Sequence, residues 1–220
     1  MIIAIDGPSA SGKSTTAKGV SDVLNILYIN TGAMYRAITY GFLEEMIDLD
    51  NSRQINNYLS NVRISFNNDK ICLNDRCLSS EIRSKNITSK VSSVSAISSV
   101  REKMVKLQRE IAKGRSCILE GRDIGTVVFP EANYKFFMRA ELKDRAERRM
   151  LDYKSNGEDI SIDQVKKQIE MRDKFDSTRK NSPLRMSKDA VLIDTSKLSI
   201  DEQINKIVDI VINKQGKLKV

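Results

Sequence analysis

The chain has 220 residues, no histidine, no tryptophan and a formal net charge of +8 at pH 7. That length is enough for one sizeable domain with a well-buried core. The missing histidine excludes Ser-His-Asp hydrolases, H-E-x-x-H metalloproteases and histidine-ligated metal centres in one step.

No apolar run is long enough to cross a bilayer, and the N-terminus lacks the basic stretch, apolar segment and cleavage site of a secretory signal. A cytoplasmic protein without membrane association is therefore expected. Cys72, Cys77 and Cys117 are odd in number and form no C-x-x-C pair, which points to neither a disulfide framework nor a zinc site. Cys72 and Cys77 can approach across a hairpin, but free thiols are expected in the cytosol. The basic surplus permits nonspecific nucleic-acid binding. Acids interleave with bases in KDRAERRMLDYK and KKQIEMRDKFDSTRK, however, as on a solvated helix face. Anionic small substrates explain the arginines at least as well, and no nucleic-acid partner is expected.

In chain order, the apolar run Ile2–Ile5 reads as a buried parallel strand. It runs into GPSASGKST, where the spacing Gly7–x4–Gly12–Lys13–Ser14 matches the phosphate-cradling loop G-x-x-x-x-G-K-[ST]. Glycines let the backbone bring its N–H groups against anionic oxygens. In such a loop the lysine reaches the β- and γ-phosphates and the Ser hydroxyl ligates Mg²⁺. Ala17, Val20, Val23 and Leu24 then recur at helical spacing, so strand, loop and helix follow in the order the motif requires.

Four more apolar runs read as strands of the same sheet: 26–29, 117–119, 134–138 and 190–193. Helical patterns separate them, giving a doubly wound α/β sheet. Between the runs at 26–29 and 117–119, VRISFNNDKICLNDRCL carries short alternating runs and turns at Asn67-Asn68-Asp69 and Asn74-Asp75, the pattern of a small antiparallel β insert. The serine-rich TSKVSSVSAISSV keeps Val and Ile at helix-like intervals, and a helix is expected over Val100, Met104, Leu107 and Ile111. Ser199-Ile-Asp-Glu202 reads as a capping box opening a last helix with Ile204, Ile207, Val208 and Val211 on one face. The tail KQGKLKV has little to bury and is expected to be mobile.

NTGAMYR follows the second strand and EGRDIGTVVFP the third, and open α/β sheets bind ligands beyond the carboxyl ends of their strands. Arg36, Arg122 and Asp123 are thus candidates for gripping a second anion. If IEMRDKFDSTRK is helical, Arg172, Asp176 and Arg179 lie on one stripe. Arg145, Arg148 and Arg149 cluster on another helix, followed by the polar stretch YKSNGEDIS.

Taken together, IDGPSASGKST, TGAMYR, EGRDIGTVVFP and RDKFDSTR resemble the bacterial cytidylate kinases, a branch of the nucleoside monophosphate kinases, from Ile3 to about Asn213. The resemblance implies an α/β P-loop nucleoside monophosphate kinase fold: a five-stranded parallel sheet flanked by helices, with the small antiparallel insert and a lid. It implies a single domain over residues 1–220, the insert at about 60–83 and the lid at about 148–162. The implied reaction transfers the γ-phosphoryl group of ATP to CMP or dCMP with Mg²⁺, in a monomer. Gly7, Pro8, Ser9, Ala10, Ser11, Gly12, Lys13, Ser14 and Thr15 fall on the ATP-binding positions, with Ser14 as metal ligand. Thr31, Arg36, Ser92, Arg101, Arg122, Asp123, Arg172, Asp176 and Arg179 fall on acceptor-binding positions. Lys13 and the lid arginines Arg145 and Arg149 are the catalytic candidates. Two positions depart from the family pattern: Asn30 and Thr31 stand where an acid and a serine are common, and Glu120 stands where Asp is common. Other readings are a P-loop kinase of a different small acceptor and a nucleic-acid-associated NTPase.

Overall fold

The computed structural model describes residues 1–67, 70–155, 157 and 159–217, the last four by backbone alone. Asn68, Asp69, Asn156 and Glu158 lie outside the described residues, and with them the first insert turn and the centre of YKSNGEDIS.

Five strands form the main sheet: β1 (Ile2–Asp6), β2 (Leu27–Asn30), β6 (Cys117–Gly121), β7 (Tyr134–Arg139) and β8 (Val191–Asp194), in the order β2-β6-β1-β7-β8. Each expected strand is present, shifted by at most a residue or two at its ends. β1 runs parallel to both neighbours, with Ile3 opposite Ile118 and Tyr134. The strand order departs in opposite directions on either side of β1, which is where open α/β sheets place their ligands.

The chain divides into two units, Met1–Tyr28 with Gly114–Val220, and Ile29–Lys113. In the first unit, α1 (Lys13–Leu24) and α8 (Ile200–Lys217) pack with the sheet around Ile3, Ile5, Ala17, Val20, Phe136, Met138, Ile207 and Val211. Each fully buried aliphatic here contributes on the order of 1.5–3 kcal/mol. The expected stripe on α1 is corrected in one place: Val23 is 60% exposed, and Thr16 and Ser21 take buried positions instead. Helical spacing alone gives no means of ranking a small polar residue above a valine. The capping box forms as expected, Ser199 N–H donating to Glu202 Oε2 at 2.8 Å and Glu202 N–H to Ser199 Oγ at 3.3 Å. The tail stays helical to Lys217, longer than its composition suggested, and residues 218–220 lie outside the description. α6 (Leu142–Ser155) and α7 (Ile162–Thr178) pack on each other through Ala146, Val165 and Ile169.

The second unit holds α2 (Thr31–Glu44), α3 (Ser52–Asn61), the antiparallel strands β3 (Ile64–Asn67), β4 (Lys70–Leu73) and β5 (Arg76–Leu78), α4 (Lys85–Ala96) and α5 (Ser98–Ala112). The β insert is therefore present, and the serine-rich stretch is the helix α4, capped by Ser84. The expectation of free thiols at Cys72 and Cys77 is not met. The β4–β5 register sets them directly opposite one another, and their sulfurs are bonded. Cys117 is a buried free thiol whose pKa burial pushes up to about 11.

Asn30, the departure from the family pattern, has a structural use: its side chain accepts the Ala33 N–H at 2.8 Å and caps α2. Asn30→Ala should cost about 1 kcal/mol. Thermal melts should show this as a fall of about 2–4 °C for a chain of this size, with Asn30→Asp close to wild type. Among the described residues, no helix is long and apolar enough to cross a membrane.

Candidate active site

The loop after β1 is held in a shape that two glycines permit. Gly7 has φ +151°, and a Cβ there would lie 2.1 Å from the Met138 carbonyl oxygen of β7. Gly12, at φ +90°, is the N-cap of α1, and its Cβ would lie 2.9 Å from Gln203 Oε1. Gln203 is itself fixed, accepting from Thr16 Oγ1 at 2.8 Å and donating to the Leu198 carbonyl at 2.9 Å. Gln203, near the far end of the chain, thus sits against the loop, which leads into the N-terminus of α1, where the helix dipole and unpaired N–H groups favour anions.

Lys13 is 5% exposed and folds back to donate to the Pro8 carbonyl and to Ser11 Oγ. Burial and then Arg122 lower its pKa to about 7, against the pull of Glu120 and Asp6. A polyphosphate offers such a buried cation better partners than one carbonyl and one hydroxyl. Ser14 and Thr15 are exposed, and Ser14 Oγ donates to Glu120 Oε1 at 2.9 Å. Glu120, at the end of β6, is itself buried.

Asp6, the last residue of β1, accepts the backbone N–H groups of Ile124 and Gly125 at 2.8 and 2.7 Å. These lie in the helical turn Ile124–Val128 that follows Arg122 and Asp123. Burial lifts the Asp6 pKa to about 6, and the two N–H bonds only partly oppose it. The strand that delivers the phosphate loop therefore also anchors the loop bearing the next two candidates.

Arg122, Asp123, Arg172, Asp176 and Arg179 come together in the first unit. Arg122 Nε donates to Asp176 Oδ2 at 2.8 Å, while Arg179 lies 3.7 Å from Asp176 Oδ1 and 3.9 Å from Asp123 Oδ1. Burial would raise the Asp176 carboxyl, but Arg122, Arg172 and Arg179 outweigh it and hold the group below its ordinary value. The expected helical stripe needs one correction. α7 ends at Thr178, and Arg179 is its C-cap in extended backbone, with Nε on the Ser182 carbonyl at 2.8 Å. Arg179 reaches the cluster from the loop beyond the helix.

The α6 arginines share a helix and have different partners. Arg145 Nη1 donates to the Ser9 carbonyl at 3.2 Å and pairs with Asp173, while its buried Nε has no partner. Arg148 bonds Thr195 Oγ1 at 3.1 Å. Arg149 lies 3.5 Å from Asp152 and over the Tyr153 ring, both on its own helix. The structure brings Arg145, and not Arg149, to the phosphate loop.

The remaining candidates lie in the second unit. Thr31 is buried at the start of α2, and the Arg36 guanidinium lies back along that helix near Gly32. Ser92 is half-buried on α4. Arg101, on α5, is 4% exposed, donates to the Ser95 carbonyl at 3.2 Å and sits over the Tyr35 ring. Sequence reasoning missed Asp6, Asp173 and Gln203. The first two stand inside quoted motifs, but nothing in residue type or spacing separates them from ordinary surface acids.

The family model described as cytidylate kinase matches residues 3–213. A cytidylate kinase of Bacillus cereus (strain B4264) is 46% identical over 213 residues, covering 95% of this chain and 95% of the relative. One from Bacillus anthracis (strain A0248) is 46% identical over 214 residues, covering 96% and 95%. Among solved structures, an uncharacterized protein from Eubacterium ventriosum superposes with a TM-score of 0.53 at 13% identity, covering 96% of this chain and 98% of that one. A Thermus thermophilus protein superposes with a TM-score of 0.52 at 14% identity, covering 97% of each. These two likenesses concern the fold alone.

Proposed function

Because the chain belongs to the cytidylate kinase family, we propose that it transfers the γ-phosphoryl group of ATP to CMP or dCMP with Mg²⁺, through the residues of its first unit described above. The observation that carries the assignment of roles is the buried Lys13 on the phosphate loop, with Arg145 beside the same loop and its Nε unpartnered. These are cations directed at a loop that has no anion of its own.

Among the described residues, no three His, Cys, Asp or Glu side chains cluster as a metal cage. Mg²⁺ binds through one or two protein oxygens plus substrate phosphates and water. Ser14 Oγ would hold it, with Glu120 behind as the carboxylate that accepts the hydrogen bond of the Ser14 hydroxyl. When bound, Mg²⁺ supplies charge neutralisation on the phosphate oxygens.

Lys13 exchanges its two loop partners for phosphate oxygens, and Arg145 adds a second cation on the donor side. Arg122, Arg172 and Arg179 neutralise the acceptor phosphate, and Asp176 and Asp123 are the carboxylates available to hydroxyl and amino donors. The family match carries the same acceptor role to Thr31, Arg36, Ser92 and Arg101. Arg149 remains a lid residue available to the transferred group only by a change of partner. The acceptor phosphate, with a second pKa of about 6, is already largely dianionic at neutral pH. No general base is required, which fits a chain without histidine. The bond from the γ-phosphorus to the bridging oxygen breaks as an acceptor oxygen bonds the same phosphorus, leaving ADP and CDP. Catalysis is then positioning and charge stabilisation.

An acceptor panel tests this. ADP release should be fastest with CMP, close to that with dCMP, at least ~10-fold slower with UMP and negligible with AMP, GMP or single-stranded RNA. Cytosine presents an amino donor where uracil presents a carbonyl, and a site built to pair one leaves polar groups unpaired with the other. Equal rates with CMP and UMP, or stimulation by RNA, would overturn the reading.

A further inference from the structure

Ser9 of the phosphate loop is held at both ends of its backbone. Its N–H donates to Asp173 Oδ1 at 3.1 Å, and its carbonyl accepts from Arg145 Nη1 at 3.2 Å. The two holders also pair with each other, Arg145 Nη1 on Asp173 Oδ2, so the three residues close a ring. Both side chains are largely buried, Asp173 at 19% and Arg145 at 11% exposure. The next residue, Ala10, has φ +58° and packs with Ala146, Val165 and Ile169 of α6 and α7. A non-glycine residue in that region is held at a cost of order 1–3 kcal/mol and persists only where its surroundings fix it. The same two helices supply those surroundings and the ring.

We propose that Asp173 is a positioning residue of the phosphoryl transfer, fixing the Ser9 peptide and aiming the Arg145 guanidinium at the donor phosphates through one carboxylate. The inference rests on the kinase reading given above. Among the described residues, Asp173 is the carboxylate seen to join the loop to α6, and its removal takes from Arg145 the charged partner that orients it beside the Ser9 carbonyl. Its effect falls on the ATP side of the reaction, because Ser9 and Arg145 both border the phosphate loop.

The experiment compares wild type, Asp173→Asn, Asp173→Ala, Arg145→Ala and the double Ala variant. For each, thermal midpoint, binding of a non-hydrolysable ATP analogue with Mg²⁺ and no acceptor, and kcat with both KM values are measured. Asp173→Ala should weaken analogue binding and raise KM for ATP about 10-fold, lower kcat about 10–100-fold and leave KM for CMP within about 2-fold. A general loss of folded protein would not divide the two KM values in this way. Asp173→Asn keeps an acceptor for the Ser9 N–H and should lie between the two, which also covers the case in which the Ala variant fails to fold. In the Arg145→Ala background, removing Asp173 should add less than about 3-fold. Multiplying effects, a change confined to KM for CMP, or wild-type analogue binding in Asp173→Asn and Asp173→Ala would each overturn the proposal. The analogue arm involves no acceptor, so it reads Asp173 even if the acceptor panel refutes the choice of CMP.

Discussion

Lys13→Met should lower kcat by about 10³-fold while raising the thermal midpoint of the ligand-free protein. The two effects share one cause. Lys13 is a buried ammonium whose charge is costly in the absence of substrate, so burial drives its pKa down to about 7. The Lys13 ammonium donates to a carbonyl and a hydroxyl rather than to a carboxylate. An apolar side chain of similar length therefore removes its desolvation cost without stripping an acid of its hydrogen-bonded partner, and should be neutral or stabilising. Each kcal/mol gained should appear as a rise of about 2–4 °C for a chain of this size. The Pro8 carbonyl is not orphaned by the change, because Ser11 Oγ also donates to it at 3.1 Å. Removing one donor aimed at developing charge costs about 10²–10³ in rate, and a full cation in a water-poor site is at the upper end. Initial rates and calorimetric melts decide it; an unchanged rate, or a lowered midpoint with no activity, would contradict the role given to Lys13.

Asp176→Ala should be the most destabilising single change at the site, by about 3–5 kcal/mol, the range for removing one partner of a buried ion pair. The Asp176 side chain is 5% exposed and faces Arg122 at 2.8 Å, with Arg179 at 3.7 Å. Without it, the guanidiniums face one another with less counter-charge, and the midpoint should fall by roughly 10 °C. Asp176→Asn, which retains an acceptor oxygen, should lose less. The pH dependence has a definite sign. The folded-state pKa of Asp176 is below its ordinary 3.8, so its contribution is complete above that value and is lost as pH falls through the folded pKa. Wild type should therefore lose stability more steeply than Asp176→Asn below about pH 4. Denaturant midpoints across pH 2–7 give the comparison, and parallel curves would rule out the ion pair as the source.

What the sequence made legible was whatever local pattern dictates. The phosphate loop is a run of nine residues between an apolar strand and a helix, and the Ser199–Glu202 box closes within four. The five sheet strands are apolar runs that each stand out from the polar sequence around them. What depended on register or on meetings between distant residues was hidden. Cys72 and Cys77 are bonded because the hairpin pairs them, a matter of one residue of register. Asp173 is adjacent to Arg172 in sequence but faces Ser9, 164 residues away. Arg145 and Arg149 look equivalent at helical spacing, yet only the first meets the loop. Asn30 departs from the family pattern in sequence, and only the folded chain shows that its side chain caps α2.

The most direct measurement follows the label from γ-³²P-ATP in a reaction with equimolar CMP and Mg²⁺. Label should leave ATP only as fast as it enters CDP, with negligible inorganic phosphate, and Lys13→Met should slow both by about 10³-fold. Label released as inorganic phosphate at a rate indifferent to CMP would contradict it and make the protein a nucleotide hydrolase.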